Sequence, residues 1–339
     1  MRVLVTGGAG YIGSVMVREM LAKGYEVVCL DRLFFGMDSV KDLLGESGFK
    51  LVKDDIRWFD PKILSEVDAV VDLAALSNDP SGELNPAKTY DINYLGRVRV
   101  ARLSREYGVE RYVFASTCSV YGFQPSVLRE DSPLNPLTTY AKSAALAEKD
   151  ILPMASKDFT VTVLRFATAY GLSYRMRFDL VVNGMTLALY KYGKIRVMRD
   201  GTQWRPVVHV RDIARAVMMV LEAEPEKVNG QVFNVGSNEQ NYQIYQLARL
   251  IGDAIGKPYE IEWYGDPDRR SYRVDFTKIK ETLGFTAKYT PVDGAREIYR
   301  ALEEGRIKDD LKTYTVKWYK HLLEMYDLMK QVVMRDTVL

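Results

Sequence analysis

The chain is poor in the residues that staple a small domain or hold a metal. Among its 339 residues there are two cysteines, Cys29 and Cys118, and two histidines. Two cysteines cannot build a disulfide framework, and so few thiols and imidazoles make a metal site a weak reading. An excess of one charge is also missing. The 47 Lys and Arg against 45 Asp and Glu leave a net charge of +2. No basic stretch forms a nucleic-acid footprint. No apolar run approaches the roughly 18 residues that span a bilayer. The opening MRVLVTGGAGYIGS has no basic segment leading into a long apolar one, so a signal peptide is not expected. A cytoplasmic, reducing location is expected, with no nucleic-acid and no membrane partner. The composition that is present, 47% apolar and 27% charged, can bury a large core without staples.

The first half alternates short β-branched runs with amphipathic helical patterns. Strands are expected at 2–6, 26–31, 50–53, 69–73, 112–116 and 160–165, with long helices at 86–107 and 139–155. This alternation reads as right-handed βαβ units and a parallel sheet, an α/β fold. After Arg165 the rhythm changes. The expected division is 1–172 for the sheet domain and 173–339 for a smaller C-terminal substrate-binding region. Short apolar strands at 207–210 and 231–235 are expected to return to the main sheet. In the tail, Trp318, Leu322, Tyr326, Met329 and Val333 recur at helical spacing.

Gly7, Gly10 and Gly13 stand in TGGAGYIG, after the first strand and at the opening of a helix. In that context a glycine triplet lets the backbone turn tightly and approach a pyrophosphate at the helix N-terminus. Asp31 ends the second strand, where a carboxylate binds the adenosine ribose 2′-OH and repels a 2′-phosphate. Arg32 could favour NADP, but Asp31 before it makes NAD the expected cofactor.

The ordered motifs TGGAGYIG, Asp31, Asp54–Ile56, DLAAL at 72–76, STCSVYG at 116–122, TYAKSA at 139–144 and HVRD at 209–212 resemble the extended short-chain dehydrogenases/reductases. Within that family the likeness is to the sugar-nucleotide epimerases and dehydratases, and it covers nearly the whole chain. It implies a Rossmann-type doubly wound sheet. It also implies that Tyr11 and Ile12 join the glycines around NAD, that Asp55 and Ile56 hold the adenine, and that Ala74, Ala75 and Ser116 lie along the cofactor. Asn93 would sit near the catalytic helix. Tyr140 would be the acid/base tyrosine and Thr117 the hydroxyl that orients the reacting sugar oxygen. Asn183, Arg205 and Arg270 would reach the nucleotide diphosphate-sugar, with the stretch from Asp268 to Arg270 closing over it. Family members commonly pair through the two long helices, so a homodimer is expected.

One position departs from the pattern. The family motif is Y-x-x-x-K, and position 144 holds Ala. The missing lysine would lie one turn from Tyr140 and lower its pKa. Lys142 does not substitute, because two residues along a helix face nearly opposite sides. Two origins fit, a deliberate replacement that traps a substrate or a natural weakened member, and both give a poor catalyst. Dehydratases of the family carry an Asp-Glu pair directly after the Ser/Thr, and here those positions hold Cys118 and Ser119. The 3,5-epimerase branch carries a Cys two residues before the motif tyrosine, which here is Ser119. What remains needs only a tyrosine, a threonine and a reversible hydride, namely 4-epimerisation through a 4-keto sugar. The alternatives are another keto-sugar-forming oxidoreductase or dehydratase, or a binding module without turnover. His209 reads as structural, and Tyr174, Arg175 and Arg177 as residues that could line the sugar pocket.

Overall fold

A computed structural model describes residues 1–266, 271–334 and 337. Fourteen strands occur among them. They are β1 Arg2–Thr6, β2 Glu26–Asp31, β3 Phe49–Lys53, β4 Ala69–Asp72, β5 Arg111–Thr117, β6 Val127–Leu128, β7 Thr160–Phe166, β8 Thr168–Tyr170, β9 Lys194–Met198, β10 Trp204–His209, β11 Gln231–Val235, β12 Asn241–Gln243, β13 Glu260–Tyr264 and β14 Arg273–Val274. Seven form one sheet in the order β11-β7-β5-β4-β1-β2-β3, with every pairing parallel.

The strands are apolar on both faces because both faces are covered. Successive residues alternate between two cores. Val3, Val5 and Val71 face the helices Tyr11–Ala22 and Val210–Glu222 through Met16, Val17, Met20 and Val217. Leu4, Val70, Tyr112 and Phe114 face the opposite layer through Val100, Ala101, Ala147 and Ile151. The strand order reverses direction at β1, which has β2 on one side and β4 on the other. The loops after β1 and β4 therefore diverge and leave a crevice at the carboxyl ends of the strands, where ligands bind in open α/β sheets.

The remaining strands form small sheets. β10 lies between β8 and β12, β9 pairs with β13, and β6 pairs with β14. Residues 231–235 sit in the main sheet as its edge strand β11, parallel to β7. Residues 207–210 do not return there, contrary to expectation. They belong mostly to β10, which pairs with β8 and β12. The reason is topological: β11 takes the place beside β7, and the short continuation of β7 after Ala167 offers β10 a partner instead. The segment does rejoin the main body as the helix Val210–Glu222.

The long helix expected at 86–107 is divided into Pro86–Tyr90, a wider π turn over Asp91–Gly96, and Arg97–Glu106. The expected 139–155 helix runs over Thr139–Ile151 and tightens to a 3-10 turn at Pro153. The C-terminal helix is Thr315–Val332. No helix among the described residues is long and apolar enough to cross a membrane.

Candidate active site

The glycine loop is built for close backbone approach. Gly7 has φ +70°, and a Cβ on Gly13 would fall 2.2 Å from the Gly7 carbonyl oxygen. Gly10 caps the helix Tyr11–Ala22 and has no side chain to offer its first N–H groups. Those donors therefore stay open to an anion at the helix end. The facing loop after β4 is fixed by Thr6, whose hydroxyl donates to Asp72 at 2.6 Å and accepts from the Leu73 and Ala74 N–H groups, each at 3.1 Å. Arg97 lies below it, bonded to Asp72 at 3.0 Å and to the Ala115 carbonyl at 2.8 Å.

Between these loops lies a cavity lined by Gly7, Gly10, Tyr11, Ile12, Gly13, Asp31, Asp55, Ile56, Ala74, Ala75, Ser116 and Tyr140. Asn93 supports it from behind, accepting the Leu76 N–H at 2.8 Å and donating to the Leu76 carbonyl at 3.2 Å. Asp31 accepts from the backbone N–H groups of Ala9 at 3.0 Å and Leu33 at 2.7 Å. Burial raises its pKa from the ordinary carboxylate value, against these two hydrogen bonds and the charge of Arg175. Arg32 is turned away from Asp31 and pairs with Asp55 at 2.5 Å. Burial works against the charge of Asp55 too, but hydrogen bonds from Arg57 and Arg32 prevail and bring its pKa down to about 2.

A second, larger cavity of about 830 Å³ adjoins the first. Ser77, Ser116, Tyr140 and Arg177 line both, so Tyr140 stands at the junction. Thr117 is the last residue of β5, and Tyr140 lies in the first turn of the helix Thr139–Ile151. The Thr117 hydroxyl accepts the Ser119 N–H at 3.1 Å, which leaves its own proton free to donate, and Thr117 lines the larger cavity together with Tyr140. Burial and the Asp79 carboxylate raise the Tyr140 pKa, while Thr117, Arg97 and Arg177 pull it down, and the balance is upward. Ala144 is on the same helix face, 4% exposed and packed in the apolar core.

One substrate-side expectation changes. Asn183 does not reach the larger cavity. It is fully buried, donating to Tyr11 Oη at 3.1 Å and the Arg177 carbonyl at 2.9 Å and accepting the Gly171 N–H at 3.0 Å. Its amide is saturated by its own chain, so its role is to brace the segment from Gly171 to Arg177. The Tyr11 hydroxyl is likewise committed, donating to the Gly171 carbonyl at 2.7 Å. Arg205 does line the larger cavity, with its guanidinium 5.4 Å from the Tyr272 ring centre. Asp268, Arg269 and Arg270 lie outside the described residues. His209 is wholly buried, bonded to Glu297 at 2.7 Å and stacked on Tyr289 at 4.5 Å, which suits a packing role. Cys118 is fully buried and bonded to the Arg165 carbonyl, and burial raises its thiol pKa.

Sequence reasoning missed some of the lining. Phe34, Phe35 and Tyr319 line the first cavity, and Asp79 and Asp179 the second. Arg175 and Arg177, read from the sequence as sugar-pocket residues, both line the first cavity, and Arg177 lines the second as well. The Arg-x-Arg-x-Asp spacing at 175–179 was the available signal, since alternate cations beside a carboxylate are unusual in an apolar segment.

The family model described as the NAD dependent epimerase/dehydratase family matches residues 3–236. The UDP-glucose 4-epimerase of Lactobacillus helveticus is 32% identical, over 86% of this chain and 94% of its own. The UDP-glucuronic acid decarboxylase 1 of Xenopus tropicalis is 30% identical, over 84% of this chain and 68% of its own. The dTDP-glucose 4,6-dehydratase of Streptomyces venezuelae, solved with NAD bound, superposes with a TM-score of 0.77 at 27% identity, covering 89% of this chain and 97% of that one.

Proposed function

From its membership of the NAD dependent epimerase/dehydratase family, we propose that this chain binds NAD and a nucleotide diphosphate-sugar and epimerises the sugar at C4. The observation that carries this reading is that Thr117 and Tyr140 line one cavity together, with Tyr140 at its junction with the second. The smaller cavity has the glycine cradle that a Cβ would fill and the Asp31 carboxylate, which suits a dinucleotide without a 2′-phosphate. The larger has room for a nucleotide sugar, and Arg177, Arg196, Arg205 and Lys317 on its walls suit a diphosphate.

When bound, NAD supplies a hydride acceptor that can give the hydride back. The chain's own residues hold the sugar and move its proton. Tyr140 accepts the C4 hydroxyl proton through its phenolic oxygen and later returns it, and Thr117 orients that oxygen. Release of the 4-keto sugar from one face and its rebinding on the other inverts C4. Cys118 is turned into the core and Ser119 has no charge, so this position offers no Asp-Glu pair for eliminating water. Ala144 leaves Tyr140 without the family's lysine, and slow turnover is the consequence. The test is to incubate the chain with NAD and UDP-, dTDP- or GDP-hexoses and follow the sugar by NMR. Inversion at C4 supports the reading. A dehydrated or decarboxylated product, or none even after lysine is restored at 144, overturns it.

NAD is expected to bind more tightly than NADP. Asp31→Ala should weaken NAD by about 10- to 100-fold, the range for one hydrogen bond to a charged group, and relax the preference. Fluorescence titration with both dinucleotides checks this. Tighter NADP binding by the unaltered chain would remove Asp31 from the ribose site.

We propose further that the chain is a homodimer paired through the helices spanning 86–106 and 139–151. Leu95 at 56% and Leu146 at 38% exposure lie on those helices, and a two-fold contact would bury both from each copy. Light scattering at micromolar concentration should return twice the 38.7 kDa chain mass. A monomer mass contradicts it.

A further inference from the structure

Among the described residues, Arg175 is a buried cation without a counter-ion. The residue is 8% exposed. Its guanidinium lies over the Phe35 ring at 3.5 Å, and one terminal nitrogen donates to Thr315 Oγ1 at 3.1 Å. Its Nε hydrogen has no acceptor among the described residues. The nearest carboxylates are engaged elsewhere. Asp179 forms its ion pair with Arg177 at 2.9 Å, and Asp31 accepts from the Ala9 and Leu33 N–H groups. Burial, and then the adjacent Arg177 charge, lower the Arg175 pKa to about 9. A buried guanidinium in this state is stabilised by an anion, and the side chain lines the cavity that faces the glycine loop.

The backbone around Arg175 is anchored where such an anion would lie. Ser173 Oγ donates to the Tyr11 carbonyl at 2.7 Å and sits 3.2 Å from Ser14 Oγ, and the Arg175 N–H donates to Ser173 Oγ at 3.3 Å. The segment is thereby fastened to the first turn of the helix Tyr11–Ala22, whose N-terminus has no side-chain cap. From the other side, the C-terminal helix holds the partners of Arg175 in place. Trp318 Nε1 donates to the Phe34 carbonyl at 2.6 Å, and Tyr319 packs against Phe34 at 5.7 Å and Phe35 at 5.4 Å.

We infer that Arg175 is a ligand of the dinucleotide's diphosphate, presented across the cavity from the glycine loop and steadied by Phe35 and Thr315. The planar fork of a guanidinium matches two phosphate oxygens. The ribose is already provided for by Asp31, which leaves the diphosphate as the uncompensated charge. The inference rests on the reading that this cavity holds NAD and does not depend on the sugar chemistry.

Calorimetric titration of the full chain with NAD, ADP-ribose, NADP and adenosine tests it, on the unaltered protein, Arg175→Met and Arg175→Lys. The methionine variant should lose about 10- to 100-fold in affinity for NAD and for ADP-ribose, the range for hydrogen bonds to a charged group. Adenosine, which has no diphosphate, should bind as before. Lysine keeps the charge without the fork and should fall between. A melting curve adds a readout that a purely structural role would move the other way. Removing an uncompensated buried charge should not lower the melting temperature of the ligand-free chain, while the increment added by NAD should shrink. Equal NAD affinity in Arg175→Met overturns the assignment, as does a uniform loss across all four ligands. A loss confined to NADP places the guanidinium at a 2′-phosphate instead and also overturns it. If the methionine variant does not fold, the lysine variant decides by the same comparison. If the unaltered chain binds no NAD, the cofactor reading falls together with this one; if it binds NAD and the variants match it, only the Arg175 assignment falls.

Discussion

Ala144→Lys is expected to raise turnover of a nucleotide diphosphate-hexose by about 10²–10⁴-fold, the usual contribution of a positioned acid–base group. The reason lies in the charges around Tyr140. Burial and Asp79 hold its pKa above the ordinary phenol value, so the proton-accepting form is scarce at neutral pH. The two cations that oppose this are each bound to a carboxylate of their own, Arg97 to Asp72 at 3.0 Å and Arg177 to Asp179 at 2.9 Å. Neither brings an unpaired positive charge to the phenol. A lysine one helical turn along would do so and would stabilise the tyrosinate. The sign for pH follows. Activity of the unaltered chain should rise with pH as more Tyr140 ionises, and the lysine variant should reach its plateau at lower pH. Ala144→Met fills a similar volume without charge and should gain nothing. Tyr140→Phe in the lysine background should abolish the gain. Steady-state rates across pH for the four proteins check this, and an equal gain from methionine would show that packing rather than charge was limiting.

Binding should be less affected by the alanine than turnover. Gly7, Gly10, Gly13, Asp31 and Arg205 are all in place around the two cavities, and many contacts hold a ligand when one is lost, whereas the proposed chemical step would depend on the tuned tyrosine. This separation is why position 144 is a useful probe: it tests the acid–base assignment with the ligand sites left intact.

The first half of the fold was legible because its constraints are local. Val3–Val5, Val27–Leu30 and Ala69–Val71 are short β-branched runs buried on both faces, and the glycine spacing reports a backbone that admits no Cβ at Gly13. Thr117 and Tyr140 were singled out by motifs about 20 residues apart, and the fold brings the strand end and the helix start that carry them to one cavity. What the sequence concealed depends on distant partners. Whether 207–210 joins the main sheet is decided by which strand occupies the place beside β7. An asparagine such as Asn183 has the same chemistry whether a ligand or its own chain satisfies it, and only the folded contacts with Tyr11, Gly171 and Arg177 tell the two apart. Arg175 meets Thr315 across a separation of 140 residues, a contact that no local pattern encodes. The π turn over Asp91–Gly96 was also hidden, since its hydrophobic spacing differs little from that of a regular helix.

Glu148→Leu is expected to destabilise the fold by about 3–5 kcal/mol, the cost of removing one partner from a buried ion pair. Glu148 and Arg165 are both 5% exposed. The glutamate accepts Arg165 Nε on both oxygens at 3.1 Å and a terminal nitrogen at 2.7 Å, and it also accepts the Ser116 hydroxyl. It lies two turns beyond Tyr140 on the helix Thr139–Ile151, whereas Ser116 is on β5 and Arg165 on β7. One side chain thus fastens the helix that carries Tyr140 to the strand that carries Thr117. Without it, Arg165 keeps, among the described residues, only Tyr121 Oη at 2.9 Å and the Glu130 carbonyl at 3.1 Å as hydrogen-bond partners, and its charge stays buried without a carboxylate. Removing both charges should be far milder, so the double variant Glu148→Leu with Arg165→Met is expected to recover much of the loss. Denaturant midpoints for the single and double variants measure this. If the single and double variants were equally destabilised, the cost would come from lost packing, and the ion pair would not be what aligns the tyrosine with the threonine.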